Sequence, residues 1–324
     1  MYKVALTNPI AEPALALLRQ RAEVRLAPTP TTADILRVAD GSDAIIVRAQ
    51  LPDGIFAQCP TLRAAVRHGT GVDFIPLEEA SSHGVQVANV PGVNAGSVAE
   101  HATMLMLGLA RRGFTVARQL REQSWDTARA NAAHAREVQG CTVGIVGFGN
   151  VGRRIGALWH AAFGARVLAF SPGDTSLPDW AEPCALLDLA HHADFVVLCC
   201  PLTPQTRGMV GKAFLAAMRR DAFLVNVARG GVVDQGALVE ALREGRIAGA
   251  ALDVYPAHPM PADSPLPGMD NVICTPHCAG ISATSLEAMG RGAVEEALRI
   301  LDGGAPLHPV NTVPADRRRA ALER

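Results

Sequence analysis
The chain has 324 residues, 49% hydrophobic and 19% charged, enough for two domains of ordinary size with sizeable cores. A net charge of −1 argues against a general attraction to nucleic acid or to an anionic membrane surface. No apolar run reaches the length of a membrane span, and Met1-Tyr-Lys-Val-Ala-Leu-Thr reads as a first strand, not a signal peptide. The seven cysteines form no C-x-x-C pair and mostly sit in apolar runs. They read as packing residues of a cytoplasmic protein without disulfides or structural zinc.

In chain order, the first ninety residues alternate strand-like and helix-like segments. Val4 to Leu6, Val24 to Leu26, Ala44 to Val47, Ala64 to Arg67 and Val85 to Ala88 read as strands. Pro13 to Arg21 and Thr32 to Val38 read as helices. This βα alternation predicts a parallel sheet. Ser97-Val-Ala-Glu100 matches a capping box and opens an apolar helix that ends near Arg111-Arg112. Further strands are expected at Val143–Val146, Val167–Phe170, Phe195–Cys199, Phe223–Val227, Ala250–Val254 and Val272–Cys274. A helix over Ala283 to Leu301 is expected to return to the first domain, and the tail from Ala315 to Arg324 reads as a solvated helix or frayed end. His191-His192 reads as a solvated loop pair, and no third residue suggests a metal site.

The densest information lies at Val143-Gly-Ile-Val-Gly-Phe-Gly-Asn-Val-Gly-Arg153. A short buried strand runs into a G-x-G-x-x-G turn, and an apolar-periodic segment with Ile155, Leu158, Trp159 and Phe163 follows. Strand, glycine turn and helix in that order suit a dinucleotide pyrophosphate. Gly147 allows the tight turn, Gly149 lets backbone approach the phosphates, and Gly152 lets the helix lie on the strand. Asn150 and Val151 complete the turn, and the helix N-terminus offers N–H groups to the anion.

The turn has company. His68-Gly-Thr-Gly-Val-Asp73 and Asn94-Ala-Gly-Ser-Val-Ala-Glu-His101 precede it. Asn226-Val-Ala-Arg-Gly-Gly-Val-Val-Asp234, Gly249-Ala-Ala-Leu-Asp-Val254 and Thr275-Pro-His277 follow it. Together these motifs resemble the D-isomer-specific 2-hydroxyacid dehydrogenases, which include hydroxypyruvate/glyoxylate reductases and phosphoglycerate dehydrogenases. The resemblance runs from Val4 to Asn311, and the length leaves no room for the regulatory C-terminal domain of some phosphoglycerate dehydrogenases.

The resemblance implies an α/β protein of two Rossmann-like or flavodoxin-like parallel-sheet domains with an active-site cleft between them. Residues 1–96 with 281–324 would form the substrate domain and 97–280 the dinucleotide-binding domain. By the same resemblance Arg229, a guanidinium at a buried strand end, holds the substrate carboxylate and polarises the keto group. His277 is the acid/base residue, and Asp253 binds the nicotinamide carboxamide. Thr70 and Gly71 present backbone N–H groups to the substrate carboxylate, Arg48 stands near the substrate, and Thr70, Cys200, Val227, Ala228 and Gly280 border the cofactor. A homodimer built around the Ser97–Arg112 helix is also implied.

Two positions depart from the family pattern. Ser171 stands where NAD-preferring relatives place an aspartate on the adenosine ribose. No Arg or Lys follows between 172 and 180 to receive a 2′-phosphate, and Asp174 could take over the ribose contact, so NAD is favoured and NADP is the alternative. The second departure is His258, 29 residues after Arg229, where the family has a glutamate beside the catalytic histidine. A neutral imidazole orients His277 but adds no negative charge. The expected activity is interconversion of a small D-2-hydroxy acid and its 2-keto acid by hydride transfer. Its alternatives are a corepressor-like NAD-binding regulator, which His258 keeps open, and a formate- or phosphite-type dehydrogenase.

Overall fold
The computed structural model describes residues 1–172, 176–314 and 318. The expectations for Asp174 and for all of the tail but Arg318 lie outside them. The chain separates into two compact units, Met1–Asn94 with Ile281–Arg324, and Ala95–Gly280.

The first unit alternates β1 (Tyr2–Leu6), α1 (Glu12–Arg19), β2 (Ala22–Leu26), α2 (Thr32–Ala39), β3 (Ala44–Val47), α3 (Ile55–Gln58), β4 (Ala64–Arg67), α4 (Leu77–Ser82) and β5 (Gln86–Ala88). The strands form one parallel sheet in the order β2-β1-β3-β4-β5, the flavodoxin-like order. The inner strands β3 and β4, short runs largely of alanine, isoleucine and valine, are buried on both faces, as parallel sheets flanked by helices require, while the edge strand β2 is only partly buried.

The second unit begins with α5 (Ala95–Ala110), α6 (Gly113–Glu122) and α7 (Trp125–Ala132). Then come β6 (Thr142–Val146), α8 (Asn150–Phe163), β7 (Arg166–Phe170), β8 (Ala181–Pro183), α9 (Leu186–His192), β9 (Phe195–Leu198), α10 (Lys212–Ala217), β10 (Phe223–Asn226), α11 (Gln235–Arg243), β11 (Gly249–Leu252) and β12 (Val272–Cys274). Its seven parallel strands run β12-β11-β10-β9-β6-β7-β8, a Rossmann order extended by one strand. The order reverses between β6 and β9, which puts the glycine turn at the topological switch point. The helix α12 (Ala283–Leu301) belongs to the first unit, where it packs on α1 and on β3 and β4.

Several local readings need correction. The apolar helix starts at Ala95, so Ser97 lies inside its first turn and cannot be its N-cap; Asn94, a favoured capping type, immediately precedes it. A capping box does form at Ser282–Ser285, ahead of α12. His191 and His192 end the helix α9, exposed, with their rings 5.2 Å apart. The helices α6 and α7 are additional to the elements expected above, and their large apolar residues Phe114, Leu120 and Trp125 are exposed. The two helices are tied instead by the amide pair Gln119–Asn131 at 2.9 Å. No helix among the described residues is long and apolar enough to cross a membrane.

Candidate active site
At the switch point, Gly147 leaves β6 with φ +96° and donates its N–H to the carbonyl of Phe170 at 2.8 Å. A Cβ there would lie 2.6 Å from the Cys200 nitrogen and 2.7 Å from its Cα, so the turn is wedged against the end of β9. A Cβ on Gly152 would run into the Gly147 carbonyl oxygen and come within 2.9 Å of Ile145 Cγ2, which confirms the close approach of α8 to β6. Gly149 differs: it is the N-cap of α8, extended at φ −84°, with nothing within 4 Å of a Cβ and no side chain capping the helix. The N–H of Arg153 is the first to bond back along α8, to the Gly149 carbonyl at 2.9 Å. The N–H groups of Asn150, Val151 and Gly152 therefore face the cradle above Gly149, where an anion meets the positive end of the helix dipole. The residues present fit a pyrophosphate. Cys200 is buried behind the turn, and Ser171 is half-buried just after β7.

Arg229, Asp253 and His277 follow the C-terminal ends of β10, β11 and β12, three neighbouring strands in one register (Asn226 beside Leu252, Leu252 beside Cys274). Asn226 shapes the Arg229 loop: its Nδ2 donates to the Arg229 carbonyl and its Oδ1 accepts from the Ala228 N–H, each at 3.0 Å. Ala228 is buried, and Val227 and the Arg229 side chain are half-buried. The Arg229 guanidinium donates to the Ala228 carbonyl at 2.7 Å. A Cβ on Gly230 would collide with the backbone of Tyr255 and Pro256, so the Arg229 loop lies directly on the segment that leads to His258.

Asp253, 1% exposed, is the hub of these strand ends. Its Oδ1 accepts from Thr275 Oγ1 at 2.6 Å and from the Cys278 N–H at 2.9 Å; its Oδ2 accepts from the Ala279 N–H at 2.9 Å. Its backbone carbonyl accepts from the His277 N–H at 2.8 Å. These bonds hold His277 at φ +53°, a left-handed conformation that is uncommon for a non-glycine residue. Gly280, half-buried, ends this loop. His101 on α5 joins the hub, its Nε2 3.1 Å from Thr275 Oγ1 and 3.6 Å from Asp253 Oδ1. Sequence reasoning did not single out His101; its signal was its place at the end of the Asn94–His101 motif. His101, Asp253 and Cys278 bring ligand-type atoms within 4.8 Å of one another. The carboxylate is already engaged and burial raises the Cys278 thiol, so the group serves as a hydrogen-bonded core.

His258 is exposed, and its ring lies 5.0 Å from that of His277 at 42° between planes, with Tyr255 edge-on to it at 6.5 Å. The imidazoles of residues 258 and 277 are thus ring neighbours. Burial raises the thiols of Cys199 and Cys200, which leaves them protonated packing groups and not nucleophiles.

In the first unit, the loop after β4 is held by its carbonyls. Gly69 accepts from the Val90 N–H at 3.0 Å, Thr70 from Asn89 Nδ2 at 2.7 Å and Gly71 from Arg67 Nε at 2.8 Å. The N–H groups of Thr70 and Gly71 make no hydrogen bond among the described residues. Arg48 donates to the Pro9 carbonyl, and burial lowers its pKa. His68 is buried beside this loop. Burial, then the charges of Arg48 and Arg67, pushes its pKa down to about 4, so it is neutral at pH 7.

The model of the D-isomer specific 2-hydroxyacid dehydrogenase NAD binding domain matches residues 103–279. The chain belongs to this family. Among 2-hydroxyacid dehydrogenase relatives, it is 34% identical over 317 residues to the D-3-phosphoglycerate dehydrogenase of Methanocaldococcus jannaschii, covering 96% of this chain but 60% of that protein. It is 35% identical to the glyoxylate reductase of Korarchaeum cryptofilum, over 95% of this chain and 96% of the relative. Among solved structures, the NADPH-dependent glyoxylate/hydroxypyruvate reductase of Sinorhizobium meliloti superposes with a TM-score of 0.85 at 27% identity, covering 98% of this chain and 100% of the other. The chain spans about 60% of the length of the curated phosphoglycerate dehydrogenases it matches.

Proposed function
We propose that this 2-hydroxyacid dehydrogenase family member is an NAD(P)-dependent oxidoreductase that interconverts a small D-2-hydroxy acid and its 2-keto acid. The observation that carries the reading is the meeting of Arg229, Asp253 and His277 at the carboxyl ends of adjacent parallel strands, in the sheet whose switch point holds the glycine turn. Open α/β sheets bind ligands outside those strand ends. The nicotinamide, when bound, supplies or accepts the hydride. Arg229 holds the substrate carboxylate and polarises the keto oxygen through charge-assisted hydrogen bonds. His277 gives a proton to that oxygen during reduction and takes one from the hydroxyl during oxidation. His258 orients His277. Asp253 sets the conformation of the His277 loop and binds the nicotinamide carboxamide. Thr70 and Gly71 supply N–H groups to the substrate, with Arg48 beside them. The unit Ala95–Gly280 takes the dinucleotide and the other unit the substrate; a cytoplasmic location without nucleic-acid or membrane partners belongs to the same reading. Incubation with NADH or NADPH and a panel of glyoxylate, hydroxypyruvate, pyruvate and bulkier 2-keto acids tests it. Oxidation of the reduced nucleotide that depends on a keto acid is expected.

The imidazole at 258 favours a second reading, a nucleotide-sensing protein with little catalysis. Tight nucleotide binding with no turnover across the panel would select it.

The His258–His277 pair has a pH signature. Reduction needs His277 protonated, so its rate should fall as pH rises. A carboxylate at 258 favours the imidazolium, so His258→Glu should move the alkaline limb of the reductive profile to higher pH. Because residue 258 is exposed, screening keeps the displacement modest. A profile that stays in place, with the fold intact and chemistry rate-limiting, would reject the pairing.

The reading also includes a homodimer built around α5 and its flanks. Met104 is 41%, Phe114 45%, Leu120 49% and Trp125 65% exposed on three successive helices, an apolar surface that a partner copy would cover. Sedimentation at micromolar concentration should give twice the mass of one chain, and a single-chain species would defeat the prediction.

A further inference from the structure
We propose that the adenosine end of this nucleotide site accepts a 2′-phosphate through Arg153, so that NADPH binds at least as tightly as NADH. The proposal rests on the reading of Gly147–Gly152 as the pyrophosphate turn.

The strand register places the relevant groups. Val146 at the end of β6 pairs with Phe170 at the end of β7, and the Gly147 N–H bonds to the Phe170 carbonyl. The ribose of a nucleotide whose pyrophosphate sits on α8 therefore lies over the end of β7. NAD-selective sites place a carboxylate there, which takes both ribose hydroxyls and repels a phosphate. Here the residue is Ser171, which does neither strongly.

The segment after Ser171 carries no cation up to Trp180, so the sequence pointed to NAD. The structure supplies one from elsewhere. Arg153, half-buried in the first turn of α8, lies with its guanidinium carbon 5.3 Å from the centroid of the Phe148 ring. Its terminal nitrogen donates to the Ser176 carbonyl at 2.5 Å. The guanidinium thus reaches from the phosphate-binding helix to Ser176, five residues beyond Ser171. Among the described residues no carboxylate pairs with it, in contrast to Arg166 on β7, which is held by Glu182. The carbonyl occupies only part of a planar fork of five donors, and the Phe148 face restrains its orientation. An unneutralised, preoriented guanidinium is the side chain suited to a phosphate dianion.

Calorimetric titration of the purified chain with NADH, NADPH, 5′-AMP and adenosine 2′,5′-bisphosphate tests the proposal without turnover. NADPH should bind as tightly as NADH or more so, and the bisphosphate more tightly than 5′-AMP. Arg153→Gln should lower the NADPH-to-NADH affinity ratio by about 10- to 100-fold, the scale of a lost hydrogen bond to a charged group. Ser171→Asp should move the ratio in the same direction. Tighter binding of NADH than of NADPH by the wild type, or a ratio unmoved by Arg153→Gln, would overturn the proposal while leaving the dinucleotide reading intact. Failure to bind either dinucleotide would overturn both.

Discussion

Replacing Arg229 with alanine should lower kcat/KM for 2-keto acid reduction by roughly 30-fold to several thousand-fold. The scale follows from truncating one partner of a desolvated, bidentate ion pair, about 2–5 kcal/mol. The side chain leaves a loop fixed by the Asn226 amide and packed at Gly230 against Tyr255, so the loop should survive the truncation. NADH affinity should change far less, because the glycine turn lies after β6, beyond β9 from this strand. Arg229→Lys should recover only part of the loss, since an ammonium keeps the charge and loses the fork. Steady-state kinetics together with NADH titration separate the two effects. Near-normal turnover in Arg229→Ala would remove Arg229 as the substrate anchor.

What the sequence made legible was what short-range pattern encodes. The inner strands β3, β9, β10 and β11 are short, fully buried and largely apolar runs, and the glycines at 147 and 152 are dictated by contacts that Cβ atoms would violate; the edge strand β8, Ala-Glu-Pro with two exposed residues, carries no such run and is missing from the sequence reading. The strand limits shifted by only one or two residues, as at Leu198 and Leu252, because a hydrophobic run does not mark where the ladder stops. What stayed hidden depends on distant parts of the chain meeting. The Asp253 hub joins His101, Thr275, Cys278 and Ala279, brought together by the register of β11 on β12 and by the placement of α5. Nothing in the sequence marks out Arg153, and only its path over Phe148 to Ser176 shows where its charge lies. The helices α6 and α7 are missing from the sequence reading, and their large apolar side chains, Phe114, Leu120 and Trp125, are exposed rather than packed into the core of their own unit.

A valine at position 149 should abolish most dinucleotide binding while leaving the fold intact, and the three glycines of the turn explain why this position separates the two. At Gly147 the backbone takes φ +96° and a Cβ would press on the Cys200 backbone; at Gly152 a Cβ would strike the Gly147 carbonyl. Substitution at either would disturb the turn itself, so lost binding there would not distinguish a binding role from a structural one. Gly149 has a φ of −84°, which L-residues adopt freely, and nothing lies within 4 Å of its Cβ position. A valine fits the unliganded chain but fills the cradle into which the first N–H groups of α8 point. A pyrophosphate held away from those donors loses charge-assisted hydrogen bonds worth about 1.5–3 kcal/mol each, and loss of even two weakens binding by roughly two orders of magnitude or more. The melting temperature of Gly149→Val should remain within a few degrees of wild type, as for a surface substitution that meets no clash. Unchanged NADH affinity in calorimetric titration would reject the turn as the phosphate site, and a collapse of thermal stability would contradict the open geometry at residue 149.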